Sequence, residues 1–221
     1  LVFDQVDVER MEKTGAVVKG AGARSRGFVR CGAIFPGHEL EVRDEAGAPV
    51  PERRVGRIFV RGPSLMREYF GEPAATAAVL SANGWLDTGD LGYLTGGEIV
   101  PTGRAKDLIL LNGRNVWPQD LEWSAESEIE KLRSGDVAAF SVDRDEGEQL
   151  VVLVQVRSSD PEVRRTLTDD VAALLRARHG VEARVELVGH NALPQTSSGK
   201  LSRSKARALF LAGAFKQEEP A

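Results

Sequence analysis

Two clusters of residues carry the types and spacings from which chemistry could be built. In the first, the segment Trp85-Leu86-Asp87-Thr88-Gly89-Asp90 offers a carboxylate directly after Thr-Gly, and farther on Arg104 and Lys106 flank Ala105 after Gly103. A carboxylate accepts hydrogen bonds from sugar hydroxyls, while a guanidinium donates in a fixed fork to phosphate or ribose oxygens. The pairing suits a polyphosphorylated nucleotide, with Asp90 expected on a buried turn. Gly-Asp is also ordinary turn chemistry, so Thr88-Gly89-Asp90 alone leaves both readings open.

The second cluster is Leu193-Pro194-Gln195-Thr196-Ser197-Ser198-Gly199-Lys200-Leu201-Ser202-Arg203. A hydroxyl-rich, Gly-hinged loop with one lysine can deliver an ammonium to a phosphate or to a developing oxyanion. The same composition describes a mobile basic surface loop. It is not a P-loop, because Pro194 stands where the first glycine of that pattern belongs. Other chemistries find less support. His38, His179 and His190 lie far apart and none is at metal-ligand spacing from Cys31, which disfavours a structural zinc site. Ser197 and Ser198 have no histidine within their loop to activate them. Trp117 and Trp123 are expected to pack against the core rather than to stack on bases.

The rest of the chain must position these groups. At 221 residues it has room for one large domain or two small ones. Lys+Arg 29 against Asp+Glu 33 gives a net charge of −4, which argues against nucleic acid as a partner. A composition 42% hydrophobic and 28% charged is enough to bury a core in a water-soluble protein, and no apolar run reaches the ~20 residues of a membrane span. A single cysteine, Cys31, fits a reducing compartment, and a cytoplasmic location is the expectation. The opening Leu1-Val2-Phe3, without an initiator Met or a signal pattern, has the look of a cut inside a longer protein.

Residues 1–30 have poor periodicity and read as irregular or hairpin-like, with a surface extension as the alternative. Leu40 and Val42, then Ile58 and Val60, alternate with polar neighbours around Asp44-Glu45-Ala46-Gly47, which predicts two half-buried antiparallel strands. Pro73 to Leu80 is a short helix, Trp85 to Asp87 a strand, and Gly96-Gly97 a tight hairpin. After Arg104 the pattern changes, with the boundary at Ala105 to Asp107. Leu108 to Leu111 reads as a buried strand turned by Asn112-Gly113, and Pro118 opens a helix with Leu121, Ala125, Ile129 and Leu132 on one face. Strands follow at Val137 to Val142 and Leu150 to Val156 about a turn at Asp143 to Glu148. Next come a helix capped by Asp160 and ended by His179-Gly180, a strand at Val181 to Val188, a helix from about Arg203 to Leu211, and a frayed polar tail from Lys216. The fold class is α+β: a small antiparallel, β-barrel-like subdomain over 1–103, then a compact α+β domain over 104–221 with a short sheet and about three helices.

In order along the chain, GWLDTGDLGYL, GRAKDLILLNGRNVWPQDLE and LPQTSSGKLSR resemble the last three motifs of the adenylate-forming enzymes: acyl-CoA synthetases, peptide-synthetase adenylation domains and luciferases. GRNVWPQDLE, with GRIFVRGPSLMREYF upstream, is most similar to the fatty acyl-AMP ligases. The resemblance covers about Cys31 to Gly213 and would place residues 1–30 at the insertion that distinguishes those ligases.

The resemblance implies ATP and Mg²⁺ as cofactors, a fatty or related carboxylic acid as substrate, and an acyl carrier protein or polyketide synthase as acceptor, with CoA less favoured. It implies that Asp90 holds ribose hydroxyls and that Arg104 contacts ribose or phosphate. Lys106 would be the hinge, Gly113 would line the path of a phosphopantetheine arm, and Lys200 would be catalytic, reaching the carboxylate and α-phosphate during adenylation. Asn115 stands where several CoA ligases carry Arg and receives no ligand role. The phosphate-binding loop, adenine pocket and acyl tunnel of such enzymes lie upstream, so the missing N-terminal part of the same protein would be a partner and the fragment alone would be inactive. A CoA ligase, or a noncatalytic binding module with inherited motifs, are the competing functions.

Overall fold

A computed structural model describes residues 1–20, 24–144 and 147–215, so the middle of the expected turn at Asp143 to Glu148 and the tail from Lys216 lie outside the described residues. The chain divides into two compact units, Leu1–Lys106 and Asp107–Ala221.

The first unit is built on an antiparallel four-stranded meander of β3 (Glu39–Arg43), β4 (Gly56–Arg61), β5 (Leu86–Thr95) and β6 (Glu98–Arg104). The alternation expected at its start is present, with Val42 opposite Ile58 and both buried. Strands β5 and β6 are joined at Gly96-Gly97, with Thr95 paired to Glu98. The sheet is open, with β3 and β6 at its edges, which corrects the barrel-like part of the expectation: four strands are about half of what a small closed barrel uses. Helix α2 (Pro73–Val79) buries none of its residues.

Residues 1–20 and 24–30 are more ordered than the periodicity of the segment indicates. Strands β1 (Phe3–Asp7) and β2 (Ser25–Val29) form an antiparallel ribbon around α1 (Val8–Thr14), whose cap is the Asp7 side chain accepting from the Arg10 N–H at 3.0 Å. Val6, Met11, Val17 and Phe28 are buried, so the segment is no loose surface extension. It is fastened to the meander by the Tyr93 hydroxyl, which donates to Asp4 Oδ2 at 2.7 Å, and by Arg53 Nη2, 3.2 Å from the same oxygen. Burial first, and then that bond to Asp4, push the Tyr93 phenol well above its ordinary value.

The second unit is a three-stranded sheet in the order β11 (Arg184–Gly189), β10 (Gly147–Val156), β9 (Val137–Arg144), with β9 antiparallel and β11 parallel to β10. Both faces are covered, which is why β10 reads as a nearly continuous apolar run. Leu150, Val152 and Val154 pack with Leu121 and Ala125 of α3 (Pro118–Glu128) and with Leu167, Val171 and Leu175 of α4 (Pro161–His179). Val151 and Leu153 face the other way, toward Ala206 and Phe210 of α5 (Arg203–Leu211). Helix α4 is the crossover that a parallel β10–β11 pair requires. Its ends are those the sequence predicts, with Asp160 accepting from the Glu162 N–H at 2.8 Å and Gly180 at the C-cap.

Three expectations need correction here. Leu108 to Leu111 is not a buried strand throughout: β7 (Ile109–Leu111) pairs with β8 (Arg114–Val116) in a two-stranded hairpin, burying Ile109 and leaving Leu110 57% exposed. Helix α3 ends at Glu128, so Ile129 is its C-cap and Leu132 reaches the core from beyond it. Trp117 is buried, but Trp123 is 69% exposed.

Candidate functional site

Thr88-Gly89-Asp90 does not form a turn between strands. It lies within β5, where the pairing with β4 slips between Arg57 and Phe59. The slip is made by side chains bonding their own backbone: Asp87 Oδ1 accepts from the Gly89 N–H at 2.9 Å, and Thr88 Oγ1 accepts from the Asp90 N–H at 3.1 Å. The Thr88 hydroxyl in turn donates to the Ile58 carbonyl at 2.9 Å, and Arg57 holds Asp87 at 2.8 Å. Gly89 has φ +73°, a conformation that costs glycine little and other residues more. The outcome is a stiff kink that fixes the direction of Asp90.

Asp90 and Arg104 are cross-strand partners, and Arg104 Nε lies 3.3 Å from Asp90 Oδ1. Their side chains are 40% and 58% exposed, so Asp90 is half-exposed rather than on a buried turn. A solvated pair of this kind contributes only ~0–1 kcal/mol to folding. Its chemical interest lies in what remains open: Oδ2 and the second lone pair of Oδ1 for hydroxyl donors, and the guanidinium fork for an anion. Lys106, exposed in a 3-10 turn over Ala105–Asp107, is the last residue of the first unit.

In the second unit Gly113 occupies the exposed tip of the β7–β8 hairpin. Lys200 sits on a closed loop rather than a loose one. Gln195 bridges Leu201, the Thr196 N–H donates to the Lys200 carbonyl at 2.7 Å, and the Lys200 N–H donates to Thr196 Oγ1 at 3.1 Å. Gly199, at φ +76°, makes the reversal, and the Ser202 N–H closes the base on the Pro194 carbonyl at 2.9 Å. Lys200 is exposed at the end of this loop, its own backbone held on both sides by Thr196.

One constellation in this unit escaped the sequence reading. Arg203, the first residue of α5, donates Nε to Glu122 Oε1 at 2.7 Å, Nη2 to Glu122 Oε2 at 2.6 Å, and Nη1 to Asp107 Oδ2 at 2.9 Å. Glu122 Oε1 also accepts from the Ala139 N–H at 3.0 Å. Burial opposes the charge on Arg203, but Glu122 and then Asp107 outweigh it and push the guanidinium above its ordinary value. All three residues stand inside the quoted motifs, and the available signal was an acid, Glu122, on the otherwise core-facing side of α3.

The structure thus brings Asp90 and Arg104 together in the first unit and places Gly113 and Lys200 in the second. No group of three or more His, Cys, Asp or Glu able to hold a metal ion is present among the described residues. No helix among them is long and apolar enough to cross a membrane.

No family model matches the sequence. A protein of Caulobacter vibrioides that carries the provisional name acyl-CoA synthetase is 58% identical over 214 residues, covering 96% of this chain and 37% of the relative. The medium-chain-fatty-acid–[acyl-carrier-protein] ligase JamA of Moorena producens is 33% identical over 232 residues, covering 96% of this chain and 38% of its own. The chain belongs to the adenylate-forming superfamily. Among solved structures, a ligase from a study of fatty acyl-adenylate ligases of E. coli and L. pneumophila superimposes with a TM-score of 0.86 at 41% identity, over 96% of this chain and 38% of that one. The chain therefore spans somewhat more than a third of the length of the relatives it matches.

Proposed function

We propose that the chain is the C-terminal part of a fatty acyl-AMP ligase. In the complete enzyme a carboxylate oxygen attacks the α-phosphorus of ATP, the bond to the β-phosphate breaks, and acyl-AMP and pyrophosphate result. A phosphopantetheine thiol of an acyl carrier protein then attacks the acyl carbon, loses its proton, and expels AMP. Residues 1–103 would complete the large domain, with 1–30 as the ligase-specific insertion, and 104–221 would form the mobile domain.

The observation that carries this reading is the convergence of Asp90 and Arg104 at 3.3 Å on a kinked strand whose geometry is set by its own side chains. Asp90 would accept from the ribose hydroxyls, and Arg104 would exchange part of its bond to Asp90 for a ribose or phosphate oxygen. Lys200 would approach the carboxylate and α-phosphate and stabilise the charge that develops as pyrophosphate departs. Lys106 would be the pivot, and Gly113 would line the pantetheine path, where a side chain would narrow it. ATP would arrive with Mg²⁺, whose hard-oxygen preference suits bridging phosphates. The adenine, acyl and phosphate-loop contacts would come from the N-terminal part of the same protein, so the fragment alone should not adenylate.

A second reading, an acyl-CoA ligase, is favoured by the name of the Caulobacter relative. The complete protein, supplied with ATP, Mg²⁺ and fatty acids and followed by mass spectrometry, separates the two. Acyl-AMP that is passed to a holo carrier protein and not to free CoA is the expected result. Rapid release of acyl-CoA would establish the second reading. Failure to bind a nonhydrolysable acyl-AMP analogue would leave a noncatalytic module and refute both.

A further inference from the structure

Lys200 is the group asked to do the most demanding work, and its loop meets the body of the second unit through Leu193, buried in the core, and Leu201, packed against it, neither of which fixes a direction by hydrogen bonds of its side chain. The internal bonds among Thr196, Ser198, Lys200 and Ser202 give the loop a shape but no orientation. Its N-terminal leg is held where Leu193 enters the core and its N–H donates to Gln155 Oε1 at 3.3 Å. On its C-terminal leg the first side chain to bond outside the loop is Arg203.

We propose that Arg203 is a positioning residue for Lys200, acting through a three-pronged clamp on Glu122 and Asp107; the inference rests on the adenylation role given to Lys200 above. The two parallel bonds to Glu122, at 2.7 and 2.6 Å, fix the guanidinium plane against α3. A bidentate pair restricts rotation as well as distance, which a single bond does not. Glu122 cannot swing to follow, because Oε1 is also bonded to the Ala139 N–H of the central sheet. The third prong, at 2.9 Å, reaches Asp107, the residue next to Lys106. Any backbone change at Ala105 or Lys106 therefore carries Asp107, α3, α5 and the base of the Lys200 loop as one body. The clamp sets where the ammonium of Lys200 stands relative to the backbone that leads out of the pivot, and Arg203 itself touches no substrate.

The test uses the pair Glu122→Gln with Arg203→Gln. Removing both charges leaves no unpaired carboxylate at 122, where a glutamine oxygen still accepts from Ala139, and takes the third prong away from the partly buried Asp107. Hydrogen exchange on this chain reads the loop directly. The amides of Lys200 and Ser202 should exchange at least about tenfold faster in the double variant, while that of Ala139 stays protected. In the complete ligase the double variant should lower kcat for acyl-AMP formation about tenfold or more, with the KM for ATP and for fatty acid within about twofold. Adding Lys200→Ala to it should cost no more than Lys200→Ala alone, because a residue that acts through another is silent once that other is gone. Arg203→Lys, which keeps the charge but not the fork, should fall between. Exchange unchanged at Lys200 and Ser202, or losses that multiply when Lys200→Ala is added, would overturn the clamp alone. Adenylation unimpaired by Lys200→Ala would overturn the functional reading and the proposal with it.

Discussion

Replacing Tyr93 with Phe isolates a single bond in the first unit. The ring is fully buried, its oxygen is 2.7 Å from Asp4 Oδ2, and Asp4 is itself nearly buried. The substitution keeps the ring, removes one oxygen, and leaves the carboxylate with Arg53 at 3.2 Å. A hydrogen bond to a charged group is worth ~1.5–3 kcal/mol, and a void of one oxygen adds little. For a unit of this size that corresponds to ~6–15 °C in its unfolding midpoint. The bond joins β1 to β5, so the loss should be local. Hydrogen exchange should rise in peptides from residues 1–20 and 86–104 and stay constant in β9 and β10. A second signature is alkaline. The folded-state phenol lies above its ordinary value, so the stability it confers is complete below the ~10 of an unfolded tyrosine and declines as pH rises beyond it. The slope attributable to one proton is ~1.4 kcal/mol per pH unit, and the Phe variant should lack it. Urea titrations at pH 8 and pH 11 measure both effects. A change below ~0.5 kcal/mol at pH 8, or identical alkaline slopes, would refute the view that Asp4 and Tyr93 fasten residues 1–30 to the meander.

Leu153→Ala in β10 empties space on the face shared with α5 and should cost ~2–5 kcal/mol, read as a lower urea midpoint of the second unit only. At the acid end, burial works against the Asp136 carboxylate, but the Arg157 fork at 2.7 and 3.0 Å and backbone donors overcome it and hold it below its ordinary value. Its contribution is therefore present above the ordinary aspartate value and disappears as pH falls below ~4; Asp136→Asn should flatten the acid limb of the stability profile. Lys106→Pro in the complete ligase should leave acyl-AMP formation measurable and slow transfer to the carrier thiol, since proline stiffens the backbone where the pivot is proposed; equal transfer rates would count against the hinge.

Much of the second unit was legible because its signals are local. Asp160-Pro161 and His179-Gly180 delimit α4 by capping chemistry that needs no tertiary information, and the near-continuous apolar runs of β9 and β10 follow from a sheet covered on both faces. What failed to show in the sequence depends on distant partners. Trp123 looks like a core residue by type, yet Glu122 and Ser124 beside it are buried because Arg203 and His179, 81 and 55 residues away in sequence, supply their bonds. The apolar run Leu108 to Leu111 could not distinguish a strand buried on two faces from a hairpin buried on one. Residues 1–30 gave no period because their core positions, Val6, Met11, Val17 and Phe28, come from a strand, a helix, a loop and a second strand. Asp90, Arg104 and Lys200 stand out by residue type and order, whereas the bonds that shape the backbone around Asp90 and Lys200 belong to Thr88, Asp87 and Thr196, to which the sequence pattern gives no such part.

The proposed function stands on Asp90 as a nucleotide ligand and Lys200 as the group that meets the α-phosphate in the complete ligase. Exchange of labelled pyrophosphate into ATP, driven by fatty acid in the complete ligase, tests it most directly. Lys200→Ala should slow the exchange by about 10²–10³, the usual cost of one preorganised transition-state contact, and Asp90→Ala should weaken ATP binding in the same assay. Wild-type exchange in both variants would contradict the account.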